Sequence, residues 1–128
     1  KLYRPSYISL ETVLARGGVV FQYSETIFVA SYLTRLVRLA GVSIQYRQIK
    51  GEVLTNLQGI EEAGGYFTAS LERAFLDAIF IYKNYHFDNL STINWEKVKE
   101  LKKIYSNQAF AKRLDEYYRY YQEEYGKY

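Results

Sequence analysis

Ser70, Glu72, Arg73 and Asp77 are the residues whose types and spacing come nearest to a chemical site in this chain. If they lie on a helix, Arg73 and Asp77 are four apart, share a face and stand within pairing distance. Ser70 precedes an apolar run, where its hydroxyl can accept from the free amides of the first turn, and Glu72 then faces the positive end of the helix dipole. Glu72 and Asp77 point about 140° apart on a helix. Glu61 and Glu62 are adjacent, so a strand sends them to opposite faces. Neither carboxylate pair converges by spacing. The chain lacks the G-x-S-x-G, H-E-x-x-H, G-x-G-x-x-G and G-x-x-x-x-G-K-[ST] patterns, and Gly64-Gly65 ahead of a capped helix reads as a tight turn. With no cysteine and the single histidine His86, read as a surface or hydrogen-bonding residue, thiolate zinc and histidine clusters are excluded. The expectation is a non-enzymatic protein with no catalytic residue, no cofactor and no metal.

Composition bounds the rest. A chain of 128 residues has the size of one ordinary domain, and with no boundary, repeat or composition shift inside it, residues 1–128 read as a single domain. No apolar run reaches the ~18 residues that cross a bilayer and no charged-then-apolar leader opens the chain, so no membrane role and a cytoplasmic location are expected. The chain starts at Lys1 and contains no methionine, which suggests a piece of a longer product. Its net charge of +3, from 17 basic and 14 acidic residues, permits nucleic-acid contact without demanding it. The 15 tyrosines fit either packing in a core or stacking on a partner.

The elements that must position these residues follow from periodicity. The central helix spans 70–82, with Leu71, Ala74, Phe75, Ala78, Ile79 and Tyr82 at three- and four-residue steps and Leu76, Phe80 and Ile81 making the other side apolar too, the pattern of an interior helix. Before it, Pro5 marks an extended lead over 1–7, Ser9 caps a short helix over 10–16 that Gly17-Gly18 ends, and 19–22 reads as a strand. The runs 26–32, 36–40 and 42–49 suggest an antiparallel meander. In the last of them Arg47 points away from the core if Ile44 points in. Arg35, Arg38, Arg47 and Lys50 are then either a basic patch for nucleic acid or a partner, or solvating charges that protect a sheet edge. A helical turn over 51–56 and a strand or loop over 58–63 lead back to the central helix. After it, Asn94 caps a helix over 95–105 and a tyrosine-lined helix covers 109–124, leaving Tyr120 and Tyr128 off its stripe. The predicted fold is α+β, a small mostly antiparallel sheet packed on a central buried helix, with a C-terminal helical pair.

Three segments in order carry a resemblance. Ala69-Ser70-Leu71-Glu72-Arg73-Ala74-Phe75-Leu76-Asp77 is similar to the small-Ser/Thr-Pro-Glu-Lys-Ala-Leu-Leu-Asp signature of AbiEi-type antitoxins, the transcriptional-regulator halves of type IV abortive-infection toxin–antitoxin pairs of phage defence. Tyr7-Ile8-Ser9-Leu10-Glu11-Thr12-Val13-Leu14 resembles that family's Tyr-Ile-Ser-Leu-Glu-Ser-Ala-Leu segment, and Tyr46-Arg47-Gln48-Ile49 its aromatic-Arg-x-Ile strand. Leu71 stands where the family has proline and Arg73 where it has lysine, changes that keep the cap and the charge. The family's winged helix-turn-helix, which precedes this region, is missing here. The resemblance implies a C-terminal effector domain that counteracts a nucleotidyltransferase-like toxin and helps the full-length protein bind operator DNA. Ser70, Glu72, Arg73 and Asp77 form its motif helix, unless they only cap and pair. Two other classes stay open: an enzyme that inactivates the toxin covalently, for instance by phosphorylation, and a purely structural protein-interaction domain.

Overall fold

Alternating β-branched and aromatic residues build one six-stranded sheet, and two capped helices pack behind the buried one. The computed structural model describes residues 5–21 and 24–126. In chain order the elements are β1 (Ser6–Ile8), α1 (Glu11–Arg16), β2 (Ile27–Ser31), β3 (Arg35–Leu39), β4 (Val42–Gln48), α2 (Gly51–Leu54), β5 (Ile60–Ala63), β6 (Tyr66–Ala69), α3 (Leu71–Ile81), α4 (Trp95–Leu101), a 3-10 turn (Lys102–Ile104) and α5 (Gln108–Tyr125). The architecture is α+β, as the periodicity predicts. Residues 1–4, Gln22 at the end of the expected 19–22 strand, and Tyr128 lie outside the described residues.

The sheet order is β3-β4-β2-β1-β6-β5. The β1/β2, β3/β4 and β5/β6 pairs are antiparallel, whereas β2/β4 and β1/β6 are parallel. The meander expected over 26–49 is therefore corrected: β2 pairs with β4, Ile27 opposite Ile44 through Ser31 opposite Gln48, and β3 lies outside β4. Burial gives the reason. β2 buries the consecutive residues Val29, Ala30 and Ser31, so both of its faces are covered and it belongs inside the sheet, while β3 exposes four of its five residues and belongs at an edge.

Two local expectations fail for related reasons. Ser9 does not cap α1; Leu10 holds the cap position at φ 58° with no side-chain hydrogen bond. Ser9 instead prolongs β1, donating its amide to Phe28 O at 3.0 Å, and turns its hydroxyl inward. Val19 to Phe21 is not a strand. The amides of Val19 and Val20 return to Leu14 O at 2.9 and 3.4 Å, and Val19 O accepts from Asn89 N at 3.1 Å. Val19 and Val20 are buried between α1 and the 84–90 loop, while Phe21 is exposed.

Ser70 and Asn94 cap their helices as expected, and Asn107 caps α5 without having been singled out. Ser70 Oγ accepts from Arg73 N, Asn94 Oδ1 from Glu96 N and Lys97 N, and Asn107 Oδ1 from Phe110 N. Residues 72–79 of α3 are all buried. Phe75 meets Phe87, Trp95 and Tyr117 with ring centroids 4.9, 5.6 and 6.3 Å away. α3 has no basic residue in its last turn. Arg113 of α5 supplies one, its Nε and Nη2 donating to Ile79 O at 3.0 and 2.8 Å, which satisfies an orphan carbonyl and the negative end of the dipole.

The β3/β4 turn consists of Ala40 and Gly41, at φ 50° and 80°, between the paired Leu39 and Val42. Both central residues of such a type I′ turn need positive φ, which asparagine tolerates better than alanine. Ala40→Asn is expected to raise unfolding free energy by ~0.5–1 kcal/mol, measured by urea denaturation with an unchanged m-value.

Candidate functional site

The four motif residues fall on or next to α3, and the fold turns them inward. Arg73 and Asp77 have fully buried side chains, Glu72 is 6 % exposed and Ser70 is half-buried. Arg73 Nη1 donates to Asn56 O and Gln58 O, while Nη2 donates to Val53 O at 2.7 Å and Tyr7 Oη at 3.1 Å. Its Nε lies 3.5 Å from Asp77 Oδ1 without an aligned hydrogen bond. Asp77 Oδ2 accepts from Tyr7 Oη and Ser9 Oγ, each at 2.8 Å, and Oδ1 accepts from Tyr105 Oη at 2.6 Å. Glu72 Oε2 accepts from Asn94 N at 3.0 Å and so ties α3 to the start of α4.

Burial governs the protonation of this cluster. It pushes the Tyr7 and Tyr105 hydroxyls well above their ordinary 10.0, and the Asp77 charge adds to the effect. Both rings therefore remain donors to the carboxylate. Burial also pushes Asp77 up from 3.8, against the pull of Arg73 and of the hydroxyls of Tyr105, Ser9 and Tyr7. Burial disfavours the Arg73 charge too, but Tyr7 and Asp77 raise its pKa above the ordinary guanidinium value. Every charged group of the motif is thus occupied by the protein itself, and the arrangement acts as an internal brace.

Sequence reasoning missed three partners. Tyr7 and Ser9 are two apart on β1 and so share a face, a spacing that could have paired them. Tyr105 gives no such sign, because its place on an apolar stripe reads as packing.

The basic residues are not gathered into one patch. Arg35 lies opposite Tyr46 and Arg38 opposite Ser43, and being three apart on one strand they point to opposite faces. Arg47 shares the Ser43 face, four residues or about 13 Å along β4 from Arg38's partner. Its guanidinium sits over the Tyr82 ring at 5.5 Å. The orientation expected for Arg47 is corrected accordingly: it turns toward the end of α3, while Ile44 lines an open groove. Lys50 is exposed just before α2.

That groove, of about 850 Å³, is bordered by Ile8, Ile27 and Ile44 of the sheet, Leu54 and Leu57 at α2, and Tyr66 and Phe67 of β6. Arg16 is its one charged lining residue among those described. His86 is 82 % exposed, 3.4 Å from Asp88 Oδ1, matching its reading as a surface residue. Among the described residues no cluster of histidine and carboxylate side chains could hold a metal, and no helix is long and apolar enough to cross a membrane. No protein family, curated protein or solved structure matches the chain.

Tyr105→Phe removes the hydroxyl donor of Asp77 Oδ1 and is expected to cost ~1.5–3 kcal/mol. Asp77→Ala leaves Arg73 buried without its counter-ion and should cost ~3–5 kcal/mol, both read from denaturant unfolding. Burial also raises Tyr82, Tyr85 and Tyr117 above 10.0. Above pH ~10 the unfolded chain loses tyrosine protons that the folded state keeps, so it binds fewer protons and stability falls as pH rises. Unfolding at about pH 8 and about pH 11 should show this loss, with part of the tyrosinate absorbance appearing only as the protein unfolds.

Proposed function

We propose that this chain is the C-terminal domain of a type IV toxin–antitoxin antitoxin and transcriptional regulator of the AbiEi type, acting in the cytoplasm. In this reading it counteracts a nucleotidyltransferase-like toxin and helps the full-length protein bind operator DNA. One observation carries the reading: the first and third of the segments that resemble the family meet in space, and the first and middle ones share Tyr82, at the end of the motif helix. Tyr7 and Ser9 of the first segment hold Asp77 of the third. Glu11 Oε1 accepts from Tyr82 Oη at 3.1 Å, and Arg47 of the middle segment covers that same ring. Chance matches have no reason to converge, whereas a signature that defines a fold does. Exposed Arg38 and Lys50 are cations that this reading sets against operator phosphates.

The internal use of Glu72 and Asp77 favours a scaffold role for the motif helix over a catalytic one. Co-expression of the longer protein with a nucleotidyltransferase encoded in an adjacent reading frame should relieve growth arrest, and arrest that persists unchanged would reject the reading. The intact mass of the toxin should stay unmodified after incubation with the protein and ATP. A phosphoryl adduct would instead establish the enzymatic alternative.

A further inference from the structure

Edge strand β3 carries its own docking code. Because Ala40 and Gly41 form a two-residue type I′ turn, the flanking residues Leu39 and Val42 exchange both backbone hydrogen bonds, and bonded pairs alternate along the hairpin. Val37/Ile44 and Arg35/Tyr46 are then the other bonded pairs. Gln48 N, which follows Tyr46 by two, points the same way and donates to Thr34 Oγ1 at 3.0 Å. The amides and carbonyls of Leu36 and Arg38 consequently point away from the sheet. Around them, Tyr32, Leu36, Leu39 and Val42 are four of the nine exposed large apolar residues described, at 47, 47, 67 and 44 % exposure.

We propose that β3 pairs antiparallel with β3 of a second copy of this chain, about a two-fold axis at Val37. Pairing must set outward-pointing residues against outward-pointing residues, and three two-fold registers achieve it. Centring on Arg38 opposes two like charges directly. Centring on Leu36 sets Arg38 against Thr34, which lies outside the strand. Centring on Val37 sets Leu36 against Arg38 twice, with four N–H···O bonds, and Leu39 against Arg35 twice. The Arg-Leu-Val-Arg-Leu strand is self-complementary only in this arrangement. Each exposed leucine lies under the aliphatic stem of an arginine, and no like charges are directly opposed. The opposite edge, β5, presents exposed Glu61 and Glu62, and pairing a short edge strand by itself makes a modest interface. The dimer therefore dissociates on dilution.

Sedimentation velocity of the 128-residue chain across a concentration series should show monomer passing to dimer. Leu36→Glu converts both Leu36/Arg38 contacts into opposite-charge pairs and should dimerise at least as tightly as the parent. Leu36→Arg opposes like charges twice and should weaken association about tenfold. Both substitutions are at an exposed position, and circular dichroism checks the fold of each variant. By amide exchange, Leu36 and Arg38 should slow as concentration rises while Val37 is slow throughout. A monomer at every concentration up to about 1 mM, or equal weakening by both variants, would overturn the proposal. A mass that climbs past the dimer would also overturn it, pointing to open-ended pairing of β3 with the acidic β5.

Discussion

The ion pair between Arg73 and Asp77, one turn apart inside α3, is the constraint on which the other contacts depend. Removing two charges from water costs several kcal/mol per ion, and their mutual attraction offsets that only when the remaining donors and acceptors are satisfied. Here nearly all are. The guanidinium takes carbonyls from α2 and the loop after it, and the carboxylate takes hydroxyls from β1, from the residue beyond it and from the end of the α4 region. One helical turn thus fixes the separation of three parts of the fold. A hydrophobic pair could fill the same volume, but it would not specify which carbonyls and hydroxyls must meet there. α2 has only four residues, too few to be stable alone, and the arginine is what anchors its end.

Around that brace the aromatic residues divide the labour. Phe75, Phe87, Trp95 and Tyr117 fill the space behind α3 with tilted and edge-on contacts, the geometry that ring quadrupoles favour. Tyr117 donates to Tyr85 O, and Tyr125 reaches Asn89 Oδ1 at 3.3 Å, so α5 fastens the irregular 84–90 stretch through phenol hydroxyls. An apolar groove and the β3 hairpin edge remain open at the surface.

How much could be read beforehand depended on the range of the interaction. α3 and α4 were legible from their caps and apolar stripes and α5 from its stripe alone, all of them local signals, and the class of fold followed from them. Strand order was not legible, since 26–49 holds three good strands whatever their pairing, and only the two-sided burial of β2 decides that it sits beside β4. Ser9 misled because a serine before a helix usually caps it; a buried carboxylate 68 residues away claimed its hydroxyl instead. Arg47 misled for the complementary reason. Strand alternation placed it opposite Ile44 correctly, but nothing local shows that the end of α3 lies on the Arg47 side while a groove borders Ile44. The motif helix was located to within one residue at each end, yet its charges looked available in a string of letters, and only three dimensions reveal Tyr105 as their third hydroxyl partner.

The central position of β1 has a consequence for biosynthesis. Its neighbours are β2 and β6, and Ile8 sits beside Thr68, so one of its two partners is made much later than the strand itself. The carboxylate that Tyr7 and Ser9 seek is later still, and Tyr105, which completes it, belongs to the final quarter of the chain. Contacts of such long sequence separation are slow to form. The hairpins can form early, but the brace around Asp77 closes only after Tyr105 has emerged, and until then the nascent polypeptide stays open to chaperones.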